Sequence, residues 1–372
     1  MQLPEYGDLD IAKLSSVFRD TTNSYKFYWF LSILDSLRDN GQNVISLNDI
    51  AIRMLANVWY PLDYFKLSFG KEDSFKNIAH FITSKIKIDN SPNAPTLLTQ
   101  INKQLDLTER TVLSEKVRIA VKYVPYRFVR PFFEVETQGL IDHKVKDNII
   151  NLLTANFDNQ PHKVIYRFVG DSIELNKVWV DYFQRHQIIL RGFIAWHLVR
   201  FVQKNNPNVI GLSEKLVKPS ERNLSLANRF WKDFLKENAD LTCIYSGQAI
   251  TTQNLSLDHF LPWSYVAHDQ LWNIVPTPKN VNSAKNDWLP SFDLYFDRFT
   301  TIQYQAVQFY LTKLNYKILE DYDYLFRENL KEIPFKTFRE TLQKQLLPQL
   351  QTAQNMGFSY PFIFKNSTQN GR

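Results

Sequence analysis

The sequence predicts a mainly α-helical protein with a small embedded strand and helix module, and therefore an α+β fold overall. Three observations support this prediction. Glycine accounts for only 10 of 372 residues, which argues against a loop-rich β fold. Apolar residues at helical spacing occupy most of the chain on both sides of the module. Residues 254–289 instead combine two short strand-like segments with a helix.

The composition describes a folded, globular chain. Hydrophobic residues make up 44% and aromatic residues 15%, so the chain can form two or three domains. A net charge of +6 is compatible with an anionic partner but does not identify one. The single cysteine excludes an intramolecular disulfide and fits a reducing compartment. Because no segment has the pattern of a signal peptide or a membrane span, we predict a cytoplasmic protein without membrane association.

The first 225 residues are predicted to form a helical region. This region could direct the protein to its target or bind a partner. An apolar segment from Tyr25 is crowded on all sides, which indicates a buried helix. Ser46 is a candidate N-cap for a second helix that runs to about Tyr60. Helical spacing continues over Phe65–Ile88, and the Asn90–Pro95 segment predicts a loop.

A β-hairpin and a long helix follow. Val164–Phe168 and Ile173–Leu175 flank Gly170-Asp171, which is typical of a tight hairpin turn. Residues from Trp179 to Lys204 then predict one continuous helix.

Residues 108–130 form a basic stretch. The stretch contains six Lys or Arg residues but only two Glu residues, and aromatic side chains are interleaved with them. Cationic and aromatic side chains together are typical of a nucleic-acid surface, so Arg127 and Arg130 are candidate nucleic-acid contacts. The alternative is a solvated helix face followed by an ordinary core turn, and the sequence leaves both open.

The module opens with two strand-like segments, Asn254–His259 and Trp272–Val275. Neighbouring side chains on a strand point to opposite faces, so Asp258 and His259 can act jointly only at a strand end. Pro262 supplies that end. We therefore expect both side chains at one edge of the hairpin.

A helix follows the second strand. Thr277 is a candidate N-cap, Pro278 suits the first helical position, and the helix is expected to stop at Pro290 with Asn282 in its second turn. Carboxylate and amide oxygens are hard ligands that suit Mg²⁺. A neutral imidazole such as that of His259 can accept a proton from water at neutral pH. These groups predict a phosphodiester hydrolase.

Asp258-His259, Asn273 and Asn282 resemble the motif of HNH (ββα-metal) endonucleases, in a zinc-free variant with spacing similar to the HNH domain of Cas9-type nucleases. The resemblance covers about residues 242–289. It implies that His259 is the general base and that Asp258 and Asn282 bind Mg²⁺, with Mn²⁺ as a substitute. It also implies that Asn273 braces the loop and orients His259.

Two further cations are candidates for contacts with substrate. Lys285 lies three residues after Asn282 on the same helix face, where it could act on the scissile or a flanking phosphate. Arg298 is a candidate for the same task. Asp142-His143 repeats the dipeptide without the following strand and helix, so the pair alone carries no functional meaning.

No structural zinc is expected. Many HNH members hold the hairpin with four zinc ligands, but Cys243 is the only cysteine here. One thiolate cannot build a four-ligand site without recruiting scattered histidines. We expect packing of Trp263, Trp272 and Trp288 in its place.

These patterns predict a helical region at 1–225, a nuclease module at 226–298 and a helical region with a polar tail from Asn366 at 299–372. The last region is expected to carry helices at Phe299–Tyr316, Asp321–Leu330 and Phe335–Leu350. The resemblance implies a metal-dependent endonuclease acting on DNA in bacterial restriction or anti-phage defence. The alternatives are a subunit active only with an ATPase or guide-bearing partner, and a DNA-binding protein with a spent active site. The motif does not distinguish DNA from RNA, or a monomer from a homodimer or a complex with a defence subunit.

Overall fold

The chain folds into two compact units in the computed structural model, which describes residues 2–71, 73–88, 93–216 and 223–365. The N-terminal unit comprises Met1–Pro207 with Lys215–Lys218, and the C-terminal unit comprises Asn208–Glu214 with Pro219–Arg372. The predicted division into 1–225, 226–298 and 299–372 stays a prediction. The predicted polar tail lies outside the described residues, as do residues 90–92 of the predicted Asn90–Pro95 loop. The end of that prediction is wrong, because Asn93 is an N-cap and Ala94 and Pro95 begin a helix.

The N-terminal unit is mainly helical. Its helices are α1 (Ile11–Ser16), α2 (Tyr25–Asn40), α3 (Leu47–Trp59), α4 (Phe75–Thr83), α5 (Ala94–Gln104), α6 (Leu107–Val121), α7 (Val124–Val129), α8 (Asp142–Asn156), α9 (Lys177–Arg185) and α10 (Gln187–Asn205). A π-helix at Tyr60–Tyr64 extends α3, and a 3-10 helix at Arg130–Phe133 extends α7. A short helix, α11 (Leu212–Leu216), follows α10; its residues up to Glu214 belong to the C-terminal unit.

Two of the predicted helices are confirmed. The helix α2 is buried on almost every side, as its crowded apolar sequence predicts. The helix α3 begins after Ser46, whose hydroxyl accepts a hydrogen bond from the Asp49 amide at 3.0 Å.

Two helix predictions are wrong in extent. Over Phe65–Ile88 only α4 is helical, because Lys66 (φ 53°) and Gly70 (φ 91°) adopt left-handed backbone conformations that interrupt a right-handed helix. The predicted helix from Trp179 to Lys204 is split into α9 and α10 at His186, where φ −111° and ψ 22° leave the helical region. The helical spacing of apolar residues therefore continues through both interruptions, so the spacing alone does not reveal where the helix breaks.

A three-stranded antiparallel sheet lies in the N-terminal unit. The predicted hairpin is confirmed as β2 (Tyr166–Val169) and β3 (Ser172–Leu175). A third strand, β1 (Val44–Ser46), was not predicted and pairs with β3 so that Ile45 lies opposite Ile173. The strand order is β1-β3-β2.

The C-terminal unit combines one hairpin with helices. Its elements are α12 (Ser225–Glu237), β4 (Leu255–His259), α13 (Trp263–Val266), β5 (Ile274–Pro278), α14 (Lys279–Lys285), α15 (Phe292–Thr312), α16 (Glu320–Phe326) and α17 (Phe335–Met356). Short 3-10 helices at Leu271–Asn273 and Tyr316–Leu319 precede β5 and α16. Strands β4 and β5 are antiparallel, with register from Leu255 opposite Pro278 to His259 opposite Ile274.

The local predictions around α14 need correction. Trp272 and Asn273 belong to the 3-10 helix, and β5 begins only at Ile274. Thr277 is not an N-cap, because the ladder with β4 continues through Pro278 and buries Thr277 inside the strand. The helix ends at Lys285 rather than near Pro290, because Asn286 has a positive φ of 44°.

One hydrophobic core joins the hairpin to α12 and to the C-terminal helices. The Phe260 ring, which follows β4, stacks on Phe299 of α15 with ring centroids 4.2 Å apart. Gln303 of α15 donates a hydrogen bond to the Ile274 carbonyl at the start of β5 (2.8 Å). Leu289 exchanges backbone hydrogen bonds with the segment after α17, through Ser359 (2.9 Å) and Phe362 (2.7 Å). The helices thus fix both ends of the region that carries the predicted site.

Throughout the described ranges, no helix combines the length and the apolar character needed to cross a membrane.

Candidate active site

Asp258 and His259 are the last two residues of β4 and lie opposite Val275 and Ile274 of β5. Both are almost fully buried, with 4% and 6% of their surface exposed. The Phe260 amide continues the pairing by donating to the Asn273 carbonyl at 2.8 Å. The strand pairing therefore fixes the backbone of both residues up to the point where the chain leaves the sheet.

The Asp258 carboxylate has a partner on each oxygen. Lys285 Nζ donates to Oδ1 at 3.1 Å, and the Tyr245 hydroxyl donates to Oδ2 at 2.7 Å. Lys285 is fully buried and also donates to the His259 carbonyl at 2.7 Å. A buried carboxylate is tolerated here because a buried ammonium balances its charge.

Tyr245 is part of the site and was not predicted from the sequence. A turn positions it, in which the Cys243 amide donates to the Gln248 carbonyl (2.8 Å) and Gly247 adopts a left-handed φ of 71°. Burial raises the pKa of Tyr245 well above its usual value, and the negative charge of Asp258 raises it further. The phenol therefore stays protonated and remains a hydrogen-bond donor to Asp258.

His259 is held by Asp269, which the sequence analysis did not assign to the site. His259 Nε2 lies 2.9 Å from Asp269 Oδ1. A carboxylate can only accept, so this contact assigns the proton of a neutral imidazole to Nε2 and leaves Nδ1 as the acceptor. Ala267 has a left-handed φ of 56°, which reverses the chain after α13 and returns Asp269 towards β4.

Asn273 contacts the loop that follows His259. Its side chain is fully buried and makes two hydrogen bonds to the backbone of Leu261. The Leu261 amide donates to Oδ1, and Nδ2 donates to the Leu261 carbonyl, each at 2.9 Å. Such a two-point contact satisfies both backbone groups of a residue that has left the sheet.

Asn282 joins α14 to β4. Its Nδ2 donates to Ser256 Oγ at 2.8 Å and to the Leu257 carbonyl at 3.0 Å. Among the described residues, no hydrogen bond involves its Oδ1. Lys285, one turn later, bonds the His259 carbonyl, so both side chains face the same strand. The helix thereby holds the Asn282 amide group against the strand that carries Asp258.

The donor set fits a hydrated divalent ion. The Asp258 carboxylate and Asn282 Oδ1 are hard oxygen donors, and Mg²⁺ commonly takes one or two protein groups together with waters and substrate phosphate. Within the part of the chain that the structure describes, no three His, Cys, Asp or Glu residues group as a metal site. Asp258 would exchange its Lys285 or Tyr245 contact for such an ion.

The predicted tryptophan packing is correct only in part. Trp272 is buried and Trp263 is half-buried, but Trp288 is 45% exposed, so its predicted role in the core is wrong. Trp288 follows the positive-φ residue Asn286, and the chain reversal there turns the indole outwards. Cys243 is buried in the hydrophobic core of the unit. The absence of structural zinc stays a prediction.

Three further cations are predicted to contact the substrate, namely Arg298, Arg127 and Arg130. Arg298 Nη1 donates to the Ile244 carbonyl at 3.4 Å, next to Tyr245. Arg127 and Arg130 belong to the N-terminal unit. The structure therefore gathers Asp258, His259, Asn273, Asn282 and Lys285 at one end of the β4–β5 hairpin, and their roles stay proposals.

Comparison with known proteins identifies the segment that carries these residues. Residues 243–291 match a family model described as HNH endonuclease. The match begins at Cys243 and ends at Ser291, and it includes Asp269 and the five predicted residues at the end of the hairpin. The predicted Arg127, Arg130 and Arg298 lie outside it. No curated protein and no solved structure matches the chain.

Proposed function

We propose that the HNH-family domain at residues 243–291 makes this protein a divalent-metal-dependent endonuclease that hydrolyses DNA phosphodiester bonds in bacterial restriction or anti-phage defence. The observation that carries the proposal is the contact of His259 Nε2 with Asp269 at the strand end shared with Asp258. A histidine held in this way, next to hard oxygen donors, is the arrangement that water activation at a phosphodiester requires.

His259 is the general base of the proposed reaction. With its Nε2 proton donated to Asp269, the Nδ1 lone pair accepts a proton from the attacking water. Asn273 keeps the imidazole in place through its two hydrogen bonds to Leu261, two residues further along the chain.

Asp258 and Asn282 would hold Mg²⁺, or Mn²⁺ in its place. When bound, the metal supplies positive charge for the departing 3′ oxygen of the cleaved strand. The chain's own residues supply the hydrogen bonds that aim these ligands. Asn282 is fixed through Nδ2 to the Leu257 carbonyl, and Asp258 is fixed through Oδ2 to Tyr245.

A second candidate function is a nuclease subunit that becomes active only in a partner complex, such as one with an ATPase or a guide-bearing assembly. The pairing of Asp258 with Lys285 favours it, because a fully buried ammonium occupies the oxygen that a metal would bind. If Lys285 moved away from Asp258, the carboxylate oxygen would become available to a metal ion. The ammonium would then be able to bind a substrate phosphate. Binding of substrate or of a partner could supply that change.

Cleavage of supercoiled plasmid tests the proposal. Wild type and His259→Ala are each assayed with Mg²⁺, Mn²⁺ or EDTA, and labelled RNA is assayed in parallel. His143→Ala is the matched control, because His143 lies in the other Asp-His dipeptide and is exposed on α8. We expect metal-dependent cleavage that falls about 10²–10⁴-fold in His259→Ala and is unchanged in His143→Ala.

The form of the DNA product, and whether cleavage needs a partner protein, distinguish the candidate functions. Nicked circles indicate one centre acting alone, and linear product indicates a dimer or paired events, because one HNH centre cuts one strand. Cleavage only after addition of the product of a neighbouring gene supports the partner-dependent subunit. DNA binding without cleavage under every one of these conditions refutes both and supports a spent active site.

A further inference from the structure

A charged cleft in the N-terminal unit lies outside the proposed nuclease centre. Its volume is about 710 Å³, and it is enclosed by the segment between α1 and α2, the start of α2, and α6–α7 with the turns that follow. The side chains that dominate its lining are Arg19, Lys26, Tyr123, Arg127, Arg130 and Glu134. The cleft thus gathers four cations from two stretches of the sequence that lie about a hundred residues apart.

Positive charge exceeds negative charge in this cleft. Four Lys or Arg side chains line it, against the carboxylates of Asp20 and Glu134. Glu134 is also paired with Lys13 (3.0 Å), which is not part of the lining. A concave surface with such a balance raises the local concentration of anions.

Lys26 is anchored in the wall of the cleft. Its Nζ donates to the carbonyls of Val17 and Asp20, each at 3.0 Å. The pKa of Lys26 is lowered to about 8, mainly by burial; the charge of Asp20 opposes the change, and the charges of Arg127 and Arg130 contribute to it. An ammonium held near other cations in a partly desolvated wall is stabilised by a bound anion.

The two predicted arginines are also held in position. Arg130 donates to the Thr137 and Leu140 carbonyls at 3.2 and 3.4 Å. The Arg127 guanidinium lies 5.6 Å from the centre of the Tyr123 ring, within the range of a cation–π contact. Cations that are fixed before binding lose little conformational entropy when a ligand arrives.

The size of the cleft indicates more than a single phosphate. Sites for small organic ligands have volumes of about 300–1,000 Å³, and this cleft lies in that range. Hydroxyl and amide groups of Ser16, Thr21, Thr22 and Asn23 complete its lining and can bond a sugar or a base edge. We propose that this cleft binds a nucleotide through its phosphate groups, either as a free nucleotide or as one unit of a single strand. The inference does not depend on the proposed nuclease activity.

Binding is measured on the full-length protein in EDTA, which prevents metal-dependent cleavage. Calorimetric titrations use ATP, GTP and inorganic tripolyphosphate, and fluorescence anisotropy uses a short labelled single-stranded oligonucleotide. Arg127→Gln and Lys26→Met remove cations that line the cleft. Arg118→Gln is the matched control, because Arg118 is exposed on α6 outside the cleft and its loss changes the net charge equally.

We expect a nucleotide or the oligonucleotide to bind, and each cleft variant to weaken binding by about tenfold or more, since charge-assisted hydrogen bonds to phosphate are lost. Arg118→Gln should leave the affinity within about twofold of wild type, because long-range surface charge is screened. Binding of ATP or GTP identifies free nucleotide as the ligand, and binding of the oligonucleotide alone identifies the strand.

Three results would overturn the proposal: no binding of any probe, an equal loss in Arg118→Gln, or tripolyphosphate binding as tightly as the nucleotides. Circular dichroism melts check that each variant is folded. Arg127→Gln decides the question even if Lys26→Met fails to fold.

Discussion

Replacing Lys285 by methionine is expected to destabilise the C-terminal unit. The Lys285 ammonium lies 3.1 Å from Asp258 Oδ1 and 2.7 Å from the His259 carbonyl, and both side chains of the ion pair are buried. Methionine keeps most of the side-chain volume but removes the charge. The Asp258 carboxylate then loses its counter-charge inside the protein, and the His259 carbonyl loses a donor.

The magnitude follows from these contacts. Removing one partner of a buried ion pair costs about 3–5 kcal/mol. The Tyr245 hydroxyl remains on Asp258 Oδ2 at 2.7 Å and offsets about 1 kcal/mol of that cost. We therefore expect the free energy of unfolding to fall by about 2–4 kcal/mol. At about 2–4 °C per kcal/mol for a unit of this size, the melting temperature should fall by roughly 5–15 °C.

Denaturant and thermal unfolding measure this change. Lys285→Met is compared with wild type and with the double variant Asp258→Asn/Lys285→Met, which should be more stable than Lys285→Met because no buried charge is left unpaired. Lys279→Met is the control, since Lys279 is exposed on the same helix. Added Mg²⁺ should raise the melting temperature of Lys285→Met more than that of wild type, because the ammonium no longer competes for Oδ1.

A loss of less than about 1 kcal/mol in Lys285→Met would refute this reasoning, because exposed ion pairs contribute no more than that. The same reasoning would be refuted if the double variant Asp258→Asn/Lys285→Met were as unstable as Lys285→Met. Either result would show that Asp258 does not depend on Lys285 as its counter-charge.

Three further changes have defined outcomes. Asp269→Ala should lower plasmid cleavage about 10–100-fold, because His259 loses the group that orients it. Asn273→Ala should lower the free energy of unfolding by about 2–4 kcal/mol, because both backbone groups of Leu261 lose buried partners. Nucleotide affinity should fall as pH rises through about 8, the lowered pKa of Lys26, because its ammonium loses its charge; titration at about pH 7 and about pH 9 measures this.

Each of these changes has a control. Asp240→Ala removes an exposed aspartate of the same unit and should leave cleavage unchanged. Asn273→Asp keeps the acceptor for the Leu261 amide but sets a second oxygen against the Leu261 carbonyl and buries an unpaired carboxylate, so it should be at least as destabilising as Asn273→Ala. An Asn273→Asp variant as stable as wild type would contradict the assigned contact. Asp20, Arg127 and Arg130 face Lys26, and an equal fall of affinity with pH in Lys26→Met would exclude Lys26 as the titrating group.

The strand and helix order of the candidate site could be predicted because its information is local. Alternation identified the strand that ends at His259, and the spacing to Asn282 placed the amide on the following helix. Thr277 was misassigned because a threonine before proline fits a helix cap as well as a strand. The ladder to β4 decides between them, and pairing between strands is not visible in the sequence of one strand.

Tyr245 and Asp269 were missed for a different reason. Each reaches the site because the chain reverses nearby, at Gly247 and at Ala267, where φ is positive. The sequence gives no strong signal for which side chain such a reversal will bring to the site. A tyrosine in an apolar segment also fits an ordinary core position. The signal that could have identified Asp269 is the need of a catalytic histidine for an acceptor on its second nitrogen.

Tertiary contacts also explain the differences in fold. Strand β1 has only three residues and exists through its pairing with β3, more than a hundred residues later. The break at His186 carries no proline or glycine, so neither helix-breaking residue marks the interruption there. Apolar spacing predicted which residues are buried in these segments more reliably than it predicted where a helix begins or ends.

The contacts of the C-terminal helices with the hairpin limit how this domain can be transplanted. The family match ends at Ser291, but the Ile274 carbonyl is bonded by Gln303, whose own side chain is bonded by the Tyr322 hydroxyl. Leu289 is paired with backbone beyond α17. A fusion protein that borrowed only residues 243–291 would leave these groups without partners. A working graft would need the chain from α12 to about residue 365, so the cutting centre should be inherited and exchanged together with its helical support.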